Sequence, residues 1–390
     1  MTYGICLVLG ALLSEEGRRH FDMRIRRCPL LALLAVLGDS QKWCPGSPRP
    51  IQMHRRLPCR IAGGLRHSVR RMTAAPSLEA AHRDIAEKGY TVSRLGAAAS
   101  VRDMEKVALQ LMHVDPSTVG SYNGRGGVVR SSIDGTGFVD SAAGAPKELT
   151  IQFHNEMAYA TEYPKYVTFA MVRQADTDGT TTLADNLVVQ GRLPAGLLDK
   201  FRRLGVQYIR YLHDEAERDA PDFYNSWQGA FQVKSLEEAM QKGNNKASFS
   251  ILEAHSDGRR LRHTLWCPVF HQHPVHGELF FNSLLNRHGS WLDGHAVFGK
   301  LPNSERPYHC VWGDGTELSE EELSEIRKAY SDSTEYIRLD AGDVLVLDNL
   351  RVVHGRTPYS GSRLLGLLLS DMVPRPSCSA PEEFAKRLSP

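Results

Sequence analysis

Two extended segments, some two hundred residues apart, each end on a histidine, and this pairing constrains the fold of the chain more than any other feature. The first, Glu148-Leu-Thr-Ile-Gln-Phe153, alternates polar and apolar residues as a strand edge does and runs into His154-Asn155-Glu156. The second, Asp343-Val-Leu-Val-Leu-Asp348, leads to His354 and is followed by the apolar run Leu364-Leu-Gly-Leu-Leu-Leu369. Two imidazoles and one carboxylate form a ligand set that holds a redox-active ferrous ion on one face and leaves the opposite face open. Arg363, nine residues beyond His354, is a fixed cation placed to hold the carboxylate of an organic acid on that metal. Together these residues point to non-haem iron and a 2-oxo acid.

Spacing alone does not make this case. The triplet His-x-Asp/Glu occurs seven times, starting at His20, His82, His113, His154, His213, His255 and His276, so six need another explanation. Context separates them: His82 and His113 fall in helix-like stretches, and His213 and His255 sit in polar segments without a distant partner. A rival ligand cluster is His271-Gln-His273-Pro-Val-His276, because alternate residues of a strand share a face. It lacks a distant carboxylate and precedes Gly277 in a hairpin-like setting.

Charge is divided unevenly along the chain. Residues 1–72 carry thirteen Lys or Arg against four Asp or Glu, a net of +9, which leaves 34 basic and 41 acidic residues, a net of −7, for the remainder. A body without a basic stripe is a poor partner for nucleic acid. Segment 1–75 reads as a leader outside the fold. Its apolar runs at Tyr3–Leu13 and Cys28–Leu37 are too short for a stable membrane span, and Met53 to Met72 is Arg-rich and free of acids, as in organelle transit peptides. A plastid or mitochondrial address fits. The plainer alternative is a true start at Met53 or Met72 and a cytoplasmic protein. Four of seven cysteines lie in the leader, and the three left (Cys267, Cys310, Cys378) form neither a disulfide framework nor a zinc knuckle.

The body reads as one domain over 76–375 with a C-terminal tail over 376–390. Ser77 to Gly89 and Ser100 to Met112 read as helices, as do Pro194 to Gly205, a segment starting near Ser235, and Ser319 to Tyr330 with its capping box. Strands are expected at Tyr90–Arg94, Tyr166–Arg173, Val206–Leu212, Ser248–Ala254, Arg262–Val269 and Glu278–Asn282, with a Gly/Thr-rich turn before Asn186. Many short strands with helices at one end and in insertions argue for a mainly β, α+β protein built on a double-stranded β-helix, or jelly roll. Trp227, Phe231 and Trp266 read as core rather than as a substrate platform.

Phe153-His-Asn-Glu-Met-Ala-Tyr159 with Pro164, Gly179-Thr-Thr181-Thr-Leu-Ala-Asp185, Phe281-Asn282-Ser283, and Gly342-Asp343 through Arg363 follow in an order that resembles the taurine dioxygenase (TauD/TfdA) family, in its clavaminate synthase-like branch. The resemblance covers residues 80–373. It implies an Fe(II)- and 2-oxoglutarate-dependent oxygenase that consumes O2 and oxidises 2-oxoglutarate to succinate and CO2. It also implies His154, Glu156 and His354 as iron ligands, Arg363 as the partner of the distal 2-oxoglutarate carboxylate, and Thr181 as a co-substrate hydroxyl. Arg125, Arg130 and Asn282 are its candidates for substrate contact. With Glu156 present, the resemblance implies hydroxylation or desaturation of a small polar, amino-acid-like or carboxylate substrate. The competing reading is a cupin-like metal-binding jelly roll without oxygenase activity, indifferent to loss of Arg363.

Overall fold

The computed structural model describes residues 77–120, 131–140, 145–217, 225–256 and 258–388. The leader 1–75 and the candidates Arg125 and Arg130 lie outside these residues. Two antiparallel sheets form the centre. The larger runs, in spatial order, Tyr90–Arg94, Asp343–Asp348, Glu162–Arg173, Leu364–Pro374 and Val119–Gly120, with Val139–Asp140 also paired to Leu364–Pro374. The smaller runs Glu335–Ile337, Thr181–Asp185, Val352–Arg356 and Ile151–His154.

Alternation of side chains sorts the layers. Val167, Phe169 and Met171, Leu345 and Leu347, and Leu365, Leu367 and Leu369 turn inward and meet Leu183 and Val352 of the smaller sheet. Their neighbours Ala170, Val344, Val346 and Leu368 turn outward against Met104, Ala108 and Leu111 of the helix Val101–Met112. Both faces of the larger sheet are therefore dry, which accounts for its continuous apolar runs; each such side chain fully buried contributes roughly 1.5–3 kcal/mol. This is the expected jelly roll with flanking helices.

The helix ends follow their capping chemistry. Ser77 accepts from Ala80 N, and the helix Leu78–Lys88 stops at Gly89 with φ 80°. A Cβ on Gly89 would lie 2.4 Å from Val352 Cγ2, so the glycine also lets the helix end approach the strand that carries His354. Capping boxes at Ser100/Asp103, Ser235/Glu238 and Ser319/Glu322 start three further helices.

Between the strands Thr181–Asp185 and Glu335–Ile337 the chain inserts a third antiparallel sheet, ordered Tyr308–Trp312, Val206–Leu212, Leu261–Cys267 and Ser250–Ala254. It covers the outer face of the smaller sheet: Ala184 and Val353 pack with Val206, Cys267 and Trp312, and with Phe201 and Ile326 from the helices Ala195–Leu204 and Glu320–Ser331. Trp227 and Trp266 are core, as expected.

One expectation needs correction. The Gly/Thr-rich segment before Asn186 is not all turn. The turn is confined to Asp178 and Gly179, both at positive φ, and Thr181–Asp185 is an inner strand of the smaller sheet, where β-branched threonines pair well on both sides. Near the C-terminus the chain packs beside the inserted sheet. Glu382–Arg387 is helical and buries Phe384 against Ile251 and Trp266. No helix among the described residues is long and apolar enough to cross a membrane.

Candidate active site

The two histidines meet because their strands pair. His154 lies directly opposite His354 across Ile151–His154 and Val352–Arg356, and a bulge follows between His354 and Arg356. Gly355 makes the approach possible, since a Cβ there would sit 2.6 Å from Ile151 O. The imidazole centroids are 4.2 Å apart, and Glu156 Oε2 lies 3.8 Å from His154 Nε2 and 3.6 Å from His354 Nε2. Donor atoms that share an ion through bonds of about 2.1 Å stand about 3.0–3.5 Å apart, so shifts of a few tenths of an ångström close this set around a metal.

The protonation states suit ligation. His154 Nδ1 donates to Gln152 O at 2.9 Å, which leaves the Nε2 lone pair facing Glu156. Burial, reinforced by His154, pushes the His354 pKa down to about 4, so this imidazole is neutral at physiological pH. Burial opposes a charge on Glu156, but the adjacent His154 and His354 outweigh it and hold the carboxyl well below the usual range. Nδ1 of His354 is buried without a hydrogen-bond partner, and that ring is positioned by packing, edge-on to Phe169 at 5.0 Å. Two imidazoles and a carboxylate on one side are a fit donor set for a ferrous ion, and they leave its other positions to small molecules.

A buried asparagine lattice holds Glu156 in place. Asn349 Oδ1 accepts from Glu156 N at 2.7 Å, while Asn349 Nδ2 donates to Glu156 O at 3.1 Å and Pro164 O at 2.8 Å. Asn155 Nδ2 donates to Asn349 O at 2.6 Å, and Asn155 Oδ1 accepts from Asn186 Nδ2 and from Asn282 N. The turn they clamp contains Met157 at φ 60°, a left-handed conformation that a non-glycine residue holds only when its surroundings impose it. Asn282 belongs to this lattice: it is fully buried, its Nδ2 donates to Tyr330 OH at 3.2 Å, and its Oδ1 accepts from Leu284 N. Both ends of the amide are thus engaged within the protein, so Asn282 supports the metal-binding turn from behind.

Arg363 stands at the start of Leu364–Pro374, only 8% exposed. Its guanidinium lies 5.7 Å from the Tyr359 ring, with Arg356 on the same ring at 4.7 Å. Burial first, and then the charge of Arg356, pull its pKa down to about 10. Arg356 donates to Pro146 O and Leu149 O and so ties down the loop before the metal strand. No carboxylate among the described residues pairs with Arg363, and its Nε has no partner. A buried cation pressed against another cation is stabilised by an anion, and none of the described residues supplies one. Thr181 lies opposite Arg356 and two residues from Leu183, the partner of His354. Alternation therefore puts Thr181, and not Thr182, on the His354 face of the sheet.

The rival histidines are otherwise engaged. His271 Nδ1 pairs with Tyr163 OH at 2.6 Å, His273 Nε2 with Asp348 at 3.0 Å, and His276 Nε2 with Arg351 at 3.1 Å. A second cluster, which sequence reading did not anticipate, is His288, His309 and Glu317, with candidate ligand atoms within 4.8 Å of one another. Its hydrogen bonds argue against a metal. Nδ1 of His288 accepts from Ser290 N at 3.3 Å and Nδ1 of His309 from Gly289 N at 3.2 Å, which places both protons on Nε2. His309 gives its proton to Glu317 at 2.8 Å.

A jelly roll with two histidines and a glutamate at paired strand ends, and a buried arginine awaiting an anion, defines the class of non-haem iron oxygenases that bind a 2-oxo acid. The sequence pattern of the taurine catabolism dioxygenase TauD, TfdA family matches residues 90–368, and the chain belongs to that family. It is accordingly a dioxygenase whose cofactor is Fe(II) and whose co-substrates are 2-oxoglutarate and O2, as the resemblance implied. The dapdiamide synthesis protein DdaC of Enterobacter agglomerans is 29% identical over 234 residues, 58% of this chain and 68% of that protein. A clavaminate synthase-like protein of Arabidopsis thaliana is 25% identical over 244 residues, 61% and 69% of the two chains. Among solved structures, an asparagine oxygenase with Fe(II), hydroxyasparagine and succinate aligns at 15% identity and a TM-score of 0.39, covering 75% of this chain and 77% of that one.

Proposed function

We propose that this dioxygenase oxidises an unactivated C–H bond of a small, polar, amino-acid-like or carboxylate substrate, by hydroxylation or desaturation. The observation that carries the reading is Arg363, a buried guanidinium without a carboxylate partner among the described residues, on a fold that also presents His154, Glu156 and His354 together. It separates an oxygenase, which needs a bound organic acid, from a metal-binding jelly roll, which does not. The relative named for dapdiamide synthesis supports a biosynthetic setting.

His154, Glu156 and His354 would hold the iron, and Arg363, with Thr181 on the neighbouring face, would take the distal carboxylate of 2-oxoglutarate. Bound Fe(II) supplies the oxidising chemistry as 2-oxoglutarate is converted to succinate and CO2. The protein keeps the His354 imidazole neutral and the Glu156 carboxylate charged, fixes Glu156 through Asn349, and keeps bulk water away from Arg363 by burying it against Tyr359.

The test is anaerobic reconstitution with Fe(II) and 2-oxoglutarate, followed by the weak visible band of the chelate and, after admission of air, by succinate. The reading requires a band that is lost in His154→Ala and His354→Ala; stoichiometric, triad-dependent iron without a band would refute it. The acid-free, Arg-rich stretch Met53 to Met72 supports delivery to a plastid or mitochondrion. Residues 1–75 fused to a fluorescent protein would test that proposal, and diffuse cytoplasmic signal would refute it.

A further inference from the structure

Arg363 has a second cation beside it. Arg356 pairs with Thr181 while His354 pairs with Leu183, so alternation puts Arg356 on the His354 face of the smaller sheet. The two arginines share the ring of Tyr359, with guanidinium carbons 4.7 and 5.7 Å from its centroid. Those distances keep the two groups within about 10 Å of each other, close enough for each to feel the other's charge. After burial, the charge of Arg356 is what lowers the proton affinity of Arg363.

Arg356 is fixed in place. It is only 4% exposed, and its Nη2 donates to Pro146 O at 2.9 Å and to Leu149 O at 2.7 Å. Tyr359 N donates to Lys147 O at 2.9 Å, so the ring between the arginines is tied to the same loop. Both partners of the Arg356 guanidinium are neutral carbonyls, which take its hydrogen bonds and leave its charge uncancelled. Its Nε, like that of Arg363, is buried without a partner. The charge of Glu148 bears on Arg356, but that side chain is exposed on the loop, where solvent screens it. Holding two carbonyls needs a donor and no charge, since a neutral amide carries two N–H groups. The charge of Arg356 therefore opposes that of Arg363 in the empty site, and an anion at Arg363 relieves the repulsion.

We propose that Arg356 is a specificity-determining residue for the co-substrate: clasped by the loop carbonyls, it adds a second positive charge beside Arg363, so that the site selects a 2-oxo acid whose far end is a carboxylate. The inference rests on the proposed role of Arg363. Arg356 acts through its field, and its hydrogen bonds stay with the loop. A unit charge about 10 Å away, at an effective dielectric of about 20, changes an equilibrium constant by about tenfold.

The test compares 2-oxoglutarate with 2-oxopentanoate, the same five-carbon chain with a methyl group in place of the distal carboxylate. Full-length protein is loaded with Fe(II) under argon, and each acid is titrated by the visible chelate band. Arg356→Gln should lose at least fivefold in affinity for 2-oxoglutarate and stay within twofold of native for 2-oxopentanoate. Arg356→Lys keeps the charge and should keep the native ratio of the two affinities to within threefold. A residue that only held the loop would weaken both acids alike, so equal losses in Arg356→Gln would overturn the proposal. Where Arg356→Gln does not fold, Arg356→Lys decides, because a ratio lowered there by fivefold or more contradicts a role for charge. Failure of the oxygenase reading shows separately, as absence of the chelate band in native protein. Propionate and propionamide, which share a shape and differ in charge, are then titrated into iron-free protein by ligand-observed NMR. Arg356→Gln should still lose at least fivefold for propionate and less than twofold for propionamide, and equal changes would overturn the assignment.

Discussion

Replacing Asn349 by Leu tests whether the buried amide lattice belongs to the metal centre or only to the fold. Leucine matches asparagine closely in size, so packing is nearly conserved while three hydrogen bonds are lost: from Glu156 N, to Glu156 O and to Pro164 O. Each backbone group left buried and unsatisfied costs about 1–3 kcal/mol, and partial relaxation brings a single substitution of this kind to about 3–5 kcal/mol. Two of the three groups belong to Glu156 itself, so the loss falls on the ligand's own backbone. Removing such outer support commonly weakens metal binding by about 10–100-fold, or about 1.4–2.7 kcal/mol. Asn186→Ala provides the control. It removes one hydrogen bond to Asn155 Oδ1, a step further from Glu156, and should cost about 1–2 kcal/mol with iron affinity within about threefold of native. Stability is read by urea unfolding of metal-free protein and affinity by anaerobic competition with a chelator. Asn349→Leu protein that loses several kcal/mol yet binds Fe(II) within twofold of native would refute the argument.

Further outcomes follow from individual side chains. Arg363→Gln should raise the 2-oxoglutarate concentration for half-maximal chelate formation by at least tenfold with iron stoichiometry intact, and equal loss of iron would count against its role. His288 is held near a pKa of about 3 by burial, against 6.5 when free, so between these values the unfolded chain binds a proton that the folded chain refuses. Stability from this group is therefore lost as pH falls below 6.5, with a slope approaching about 1.4 kcal/mol per pH unit. His288→Asn keeps an acceptor for Ser290 N and should flatten the fall in urea midpoint between pH 7 and 5; an unchanged slope would show that His288 is not the titrating group. Phe384→Ala should cost about 3 kcal/mol, because its ring is buried against Ile251 and Trp266, and an unchanged midpoint would mean that the C-terminal helix does not contribute to the fold.

The cluster of His154, Glu156 and His354 and the buried Arg363 were legible because chemistry constrains them locally: a histidine and a carboxylate at a strand end, and a glycine after the second histidine, leave their trace in consecutive residues. The strand pattern was legible for the same reason, since burial on two faces writes long apolar runs. Asn155, Asn186 and Asn349 carried no such signal. Each reads as an ordinary polar residue at a strand or helix end, and only pairing of segments far apart in the chain shows that they share one set of hydrogen bonds. Thr181–Asp185 was masked by the turn residues beside it, where propensity yields to two flanking strands. The placement of the inserted sheet is likewise revealed by no local pattern.

The register of the smaller sheet also fixes the order of events at birth. Ile151–His154 is an edge strand whose one neighbour is Val352–Arg356, translated some two hundred residues later. While the ribosome is still making the chain, His154 and Glu156 have neither their third ligand nor Asn349 to set their backbone. Until His354 is made and its strand has paired, the proposed iron site lacks one of its three donors. An ion held by all three would favour the paired strands over the unpaired ones. Metal occupancy, on the proposed reading, reports that two segments far apart in the chain have met in register.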